Sequence, residues 1–166
     1  MLNLLRNSGA RKELGRALER QIIARARAPR FFAGLAVPDT MDGRFDMVAL
    51  HAWLVLVRLQ GAGETEAAQA LTDALFIGFD EALREQGVSD MGMGKRMKAM
   101  ADAFYGRLAA YSAASSDSEM AQALARNVWR GAAVDDNARM LAGYVQSARA
   151  ALAAAPPEAP DFGPLP

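Results

Sequence analysis

Residues 44–60 read RFDMVALHAWLVLVRLQ. Phe45, Val48, Ala49, Ala52, Leu56 and Leu59 recur at helical spacing along one face, while Leu50, Trp53, Leu54 and Val57 carry the apolar surface round the cylinder. A helix apolar on most sides belongs at the centre of a helical domain. From Met47 to Val57 eleven residues pass without Asp, Glu, Lys or Arg. A bilayer span needs about 20 such residues, so this segment reads as a buried helix and not a transmembrane one. Arg44, His51 and Arg58 stand seven apart and approach one face. Buried polar groups need partners, so His51 suits a hydrogen-bonded structural imidazole better than a ligand. Exposed, the three residues would belong to a protein-interaction surface.

The rest of the chain supports a helical setting. Of 166 residues 36 are Ala, the residue with the lowest intrinsic helix cost, and 52% are hydrophobic, enough for one domain with a substantial core. The expected fold is all-α, a multi-helix domain of about six helices. No Cys and a single His leave no disulfide framework, cysteine nucleophile, thiolate zinc site or H-E-x-x-H motif. No metal or cofactor is expected. The N-terminus lacks a continuous apolar h-region, which leads to the expectation of a cytoplasmic protein, peripheral to the inner membrane if it meets one.

Zero net charge conceals a strong polarity. Residues 1–30 carry eight basic and two acidic side chains, residues 31–94 three and ten, and residues 95–111 four and one. Alternating fields of this kind orient partners or pair within the fold. They do not supply the dominant basic footprint a DNA-binding protein needs.

A first helix is expected over about 12–28, with Leu14, Leu18 and Ile22 as its stripe and Arg16, Arg20 and Arg27 near the opposite side, bounded by Pro29. Those arginines suit plain solvent exposure, an anionic membrane or a ribosomal surface. The organisation expected is a basic N-terminal helical arm over 1–30, a helical domain over 31–155 and a flexible proline-rich tail over 156–166. The segment 31–43, FFAGLAVPDTMDG, should pack on the domain because Phe31 and Phe32 disfavour water, with Asp39 and Asp42 accepting backbone N–H groups. A third helix fits 64–85, with Asp80 placed to support Arg84 at i,i+4.

A glycine-punctuated bend over 88–95 should lead into a fourth helix over 95–113, whose stripe is Met97, Met100, Ala101, Phe104, Leu108 and Tyr111. Lys95, Lys98, Asp102 and Tyr105 share another face, which suits either a basic-aromatic recognition surface or an ordinary solvated one. Ser116 and Glu119 have capping-box spacing, and Asp135 and Asp136 suit the first turn of a last helix.

Enzymatic chemistry finds little support. Met91-Gly92-Met93-Gly94-Lys95 lacks phosphate-loop spacing, and Arg96 stands where Ser or Thr would be. Asp39, Asp42 and Asp46 form no EF-hand pattern. Met91, Met93, Met97 and Met100 either fill irregular core space or line an adaptable surface for a hydrophobic client.

The stretches PDTMDGRFDMVALHAWLVLVRL at 38–59 and ALTDALFIGFDEALREQGVSDMGMGKRMKAMADAFYGRLAAY at 70–111 resemble the ubiquinol–cytochrome c chaperone family. The ensemble D-T-x-D-G-R-F, L-H-x-W-L, F-D-x-x-L-R-E-x-G-V, G-K-x-x-K and A-F-Y-G-R-x-x-A-Y carries the likeness. It implies an all-helical, non-catalytic assembly factor for cytochrome b biogenesis and the cytochrome bc1 complex, of bacterial type. Its implied partners are newly made cytochrome b or another hydrophobic respiratory subunit, a small assembly protein, and a ribosome or anionic membrane. Asp39, Asp42, Gly43, Trp53, Asp80, Arg84, Phe104 and Gly106 are expected as structural framework. Arg44, His51, Arg58, Met91, Met93, Lys95, Lys98 and Tyr105 are the candidate interaction surface, with Arg16, Arg20 and Arg27 facing membrane or ribosome. The alternative is a general helical adaptor or peripheral lipid-surface protein.

Overall fold

The computed structural model describes residues 8–166. Six α-helices follow one another: α1 Ser8–Ala26, α2 Met41–Gly61, α3 Thr65–Glu85, α4 Asp90–Ala113, α5 Asp117–Val128 and α6 Asp136–Ala154. A π-helical turn, Arg30–Gly34, lies between α1 and α2. The central position expected for α2 is observed. Twelve of its 21 residues are buried, and it packs against each of the other five helices. That environment explains why apolar side chains occupy nearly its whole circumference.

Residues 8–26 do not form a separate arm. Leu18, Ile22 and Ala26 are in the core, and α1 lies along α3. The approach is close enough that a Cβ at Gly15 would overlap the Ala70 carbonyl oxygen. A stripe of Leu14, Leu18 and Ile22 is too apolar to leave in water, so the helix docks. Residues 1–7 of the expected arm lie outside the described residues.

Nor do residues 156–166 hang free as the expected tail. They return to the body, where Phe162 is buried and Arg25 and Arg30 donate to the carbonyls of Gly163 (2.7 Å) and Pro166 (2.5 Å). The prolines end α6 as anticipated, but an aromatic residue beyond them finds an apolar seat.

The connection before α2 packs on the domain as expected through Phe31, Leu35 and Val37. Its cap differs from expectation. Thr40, and neither aspartate, accepts the Gly43 N–H at 3.1 Å; Asp39 instead pairs with Arg44 at 2.8 Å, and Asp42 lies in the first turn. Gly43 is required by a close approach, since a Cβ there would overlap the Pro38 carbonyl oxygen.

Most of the expected glycine-rich bend is helical instead, and α4 begins at Asp90. Met93 is buried and draws the first turn inward despite the cost of two glycines, while Asp90 pairs with Arg84 at 2.8 Å on its exposed side. Built Cβ atoms at Gly94 and Gly106 meet nothing within 4 Å. Gly94→Ala and Gly106→Ala should therefore each raise stability by about 0.5–1 kcal/mol, read as a higher Tm.

Downstream, Ser116 caps α5 by accepting the Glu119 N–H, and Asp135 caps α6 through Ala138 N–H at 2.9 Å. The capping box is displaced by one residue, because the Glu119 carboxylate takes the backbone N–H and hydroxyl of Ser115. Those two bonds hold the carboxyl below its ordinary range.

Candidate functional site: a buried polar frame and an exposed face

The polar residues of α2 separate into different environments. His51 is completely buried, which corrects its placement on an interaction surface. Its Nδ1 lies 2.7 Å from the Met47 carbonyl oxygen and its Nε2 lies 2.9 Å from the Tyr144 hydroxyl. A carbonyl can only accept, so Nδ1 carries the proton and Nε2 receives the one from Tyr144. The Tyr144 oxygen in turn accepts from Arg25 Nε at 2.9 Å. Arg25, Tyr144, His51 and Met47 thus form one directed chain across α1, α6 and α2. Phe31 packs on His51 and Tyr144 at centroid distances of 5.3 and 5.2 Å, and Phe162 on His51 at 5.3 Å. Burial, reinforced by the Arg25 charge and opposed by the Met47 hydrogen bond, lowers the imidazole to a pKa of about 4. His51 is neutral at physiological pH.

Arg58, expected on the same surface, is turned inward. It donates to the Leu152 and Ala155 carbonyls at 2.8 and 3.0 Å, satisfying orphan acceptors at the end of α6. Of the three only Arg44 is exposed, paired with Asp39 beside a groove that Arg27 and Phe32 also line.

One turn before His51, Asp46 is wholly buried. Arg107 Nε of α4 contacts Oδ1 at 2.6 Å, and Arg130 Nη2, just after α5, lies 2.9 Å from Oδ2 as an ion pair without a well-aligned hydrogen bond. Burial outweighs the two guanidiniums and holds the carboxyl above its ordinary range. Arg130 keeps a left-handed backbone (φ 56°), an unfavourable conformation for a non-glycine residue that its contacts to Asp46 and the Asn127 carbonyl help to hold. Asp46 therefore ties α2 to α4 and to the end of α5. Trp53 adds a second tie to α4 through Ser112, with Nε1 to Oγ at 2.9 Å.

Arg25, Asp46, Tyr144 and Phe162 were missed as structural anchors by sequence reasoning. A signal was present for three of them: Arg25 follows Ile22 by three, Asp46 precedes Leu50 and Trp53 by four and seven, and Tyr144 sits between Leu141 and Val145. Each stands on an apolar stripe, where a polar residue needs a buried partner. Nothing local marked Phe162.

The exposed face gathers other expected residues. Tyr105, half exposed, stacks on Phe76 at 5.8 Å with 23° between the rings, and Ile77 beside Phe76 is also half exposed. Phe76 and Ile77 line an open groove of about 660 Å³ between α1 and α3. Arg11, Lys12 and Arg16 form one rim and Asp73, Asp80 and Glu81 the other. Arg16, Asp80 and Tyr105 are thereby brought to one face. Asp80 also pairs with Arg84 at 2.7 Å as its spacing predicted.

Lys95 and Lys98 are exposed on α4, Lys98 paired with Asp102 at 2.7 Å. Met91 is almost fully exposed whereas Met93 is buried, so Met93 leaves the candidate surface. Arg20 of α1 reaches Glu13 at 3.3 Å, and it and Arg27, in the turn after α1, are exposed. Phe104 and Trp53 are core residues. The open space at Gly106 shows no steric need for glycine, so it is not framework in that sense.

Among the described residues no helix is long and apolar enough to cross a membrane, and no group of three or more His, Cys, Asp or Glu is placed to hold a metal ion. The molecule is an all-α scaffold whose polar interior is structural and whose outer face carries an apolar strip between charged rims. The chain belongs to the ubiquinol–cytochrome c chaperone family, whose model matches residues 33–159. It is similar to the Cbp3 homolog from Brucella abortus, with a TM-score of 0.78 and 37% identity over 92% of this chain and 87% of that one. A further relative is the ubiquinol-cytochrome-c reductase complex assembly factor 1 of Xenopus laevis, 26% identical over 102 residues. That match covers 59% of this chain, which spans about half (51%) of the Xenopus protein.

Proposed function

We propose that this chain is a non-catalytic assembly chaperone that binds newly made cytochrome b, or another hydrophobic subunit, on its way into the cytochrome bc1 complex. Family membership over residues 33–159 is the observation that carries this reading. The name of the Xenopus relative supports it, as does the likeness to the Brucella structure over nearly the whole chain. Physically, a client needs an apolar contact that water can reach, framed by charge that sets orientation. The Ile77–Phe76–Tyr105 strip and its rims meet that description. A cytoplasmic position at the inner membrane follows from such a client. A small assembly protein and the ribosome are further partners the reading admits.

Deleting the gene and complementing it tests the proposal. Cytochrome b should fall in the deletion strain and return with the intact chain; normal accumulation without it would reject the role. In the same strain an I77E/Y105E double variant should fold, because both positions are half exposed, and should fail to restore cytochrome b. Reversal of Lys95 and Lys98 to Glu should weaken client capture without altering helical content by circular dichroism.

A second reading, a helical adaptor at a lipid surface, draws on the exposed Arg16, Arg20 and Arg27 of α1 and its following turn. Sedimentation with anionic vesicles that vanishes on reversing those three charges, with cytochrome b unaffected in cells, would favour it.

A further inference from the structure

The C-terminal segment is attached to the body in an unusual way. Among the described residues, 156–166 make no backbone–backbone hydrogen bond to it, and Ala159 N–H to Pro156 carbonyl is the one such bond within the segment. Attachment rests instead on two elements. Phe162 is buried against His51, with the Arg25 guanidinium 5.9 Å from its ring centre. Arg25 donates to the main-chain carbonyls of Phe162 and Gly163 at 3.5 and 2.7 Å, and Arg30 to that of Pro166 at 2.5 Å. An aromatic anchor with side-chain donors to backbone carbonyls is how a groove reads an extended peptide, and Pro156, Pro157, Pro160, Pro164 and Pro166 give such a peptide low entropy to lose.

The seat is complete without its occupant. Arg25 Nε to Tyr144, Tyr144 to His51 and His51 to Met47 satisfy one another without the segment. Withdrawal of Phe162 leaves Arg25 Nη2 to turn towards water, and orphans none of those three groups. Phe31, His51 and Tyr144 are held from three separate elements, so the pocket stays organised.

We infer that the pocket seating Phe162 is a peptide-recognition site, filled by the chain's own C-terminal segment and open to exchange with an extended, proline-punctuated, aromatic-bearing segment of a protein partner. The tether sets the terms of exchange. A short linker holds the segment at an effective concentration on the order of millimolar, so a competing segment binds only when it is tighter or also held elsewhere on the molecule. The inference does not depend on which protein the exposed face receives, and it can fail while that reading stands.

The probe is a fluorescein-labelled peptide, APPEAPDFGPLP, with the sequence of residues 155–166. In anisotropy titrations the full-length F162A chain should bind it at least about tenfold tighter than the parent chain, because the tethered competitor has lost its anchor. A peptide carrying the same F162A change should bind neither. An F162A chain that keeps its helical circular dichroism and binds no tighter than the parent overturns the inference.

The chain contains no cysteine, so a nitroxide on P166C reports the segment in otherwise unaltered protein. Millimolar unlabelled peptide should raise the mobile fraction of the label, independently of protein concentration. A label immobile at every peptide concentration makes Phe162 a core residue, and a mobile fraction that varies with protein concentration makes the segment an exchange between copies. Either result contradicts the inference.

Discussion

Replacing Arg107 by alanine should destabilise the protein by about 3 kcal/mol, among the largest effects of any single polar substitution in the fold. The change strips Asp46, which has no exposed surface, of its 2.6 Å partner and leaves Arg130 as its remaining counter-charge. Arg107 is itself only 14% exposed and also packs over the Phe45 ring at 5.1 Å, so solvent screening recovers little. Most of the loss is the cost of a buried carboxylate left short of a partner, and not the intrinsic worth of the pair. A double variant, D46L/R107M, should accordingly recover a substantial part of it. Urea unfolding of the parent, both single variants and the double variant measures the coupling directly. A loss in the double variant equal to the sum of the D46L and R107M losses would show that the pair is not coupled.

Acidification should remove about 3 kcal/mol through His51. Its value in the unfolded chain is 6.5 and in the folded chain about 4. The unfolded state therefore binds the proton first as pH falls, and the stabilising contribution is complete above 6.5 and spent below about 4. About 2 kcal/mol of it should be gone by pH 5. Asp46 acts in the opposite sense at the acid end, because burial holds its carboxyl above the ordinary range and protonation relieves that burial. The pH 7 to pH 5 interval reads His51 with least interference. Since the chain has a single histidine, its imidazole resonances are unambiguous. They should not titrate between pH 8 and 5 in the folded protein. A His51→Phe variant should lose stability at neutral pH but show a shallower decline over the same interval. A midpoint near 6.5 for the native imidazole would refute the buried chain of hydrogen bonds.

Much of the fold was legible because helix periodicity and punctuation are local signals. The residues 44–60 placed α2 at the centre, Ser116 marked a cap, Asp135 and Asp136 marked the start of α6, with Asp135 serving as its cap and not in its first turn, and Pro156 marked its end. The errors came where long-range packing overrode a local preference. Two glycines within Met91–Lys95 read as a bend, but the buried Met93 holds that turn in α4. Basic residues at the N-terminus read as an arm, although the stripe beneath them had to be covered by α3. A proline-rich end read as free, since no sequence rule connects Phe162 with His51 more than a hundred residues earlier.

The candidate site was legible in part for the same reason. Tyr105, Lys95 and Lys98 lie on the exposed side of α4 as expected, because their helix face could be drawn from spacing alone. His51 and Arg58 were assigned to a surface because seven-residue spacing places them on a face without saying what covers it. The groove between α1 and α3 could not be drawn from either helix alone, because its lining residues come from both.

Site-specific photocrosslinking in living cells tests the proposed client contact most directly. A photoreactive phenylalanine analogue at position 105 or 77 of the intact chain should yield a covalent adduct with cytochrome b, and the same analogue at Gln122, exposed on α5, should not. Adducts with cytochrome b from none of these positions, or equally from all three, would contradict the assignment of this face to a respiratory client.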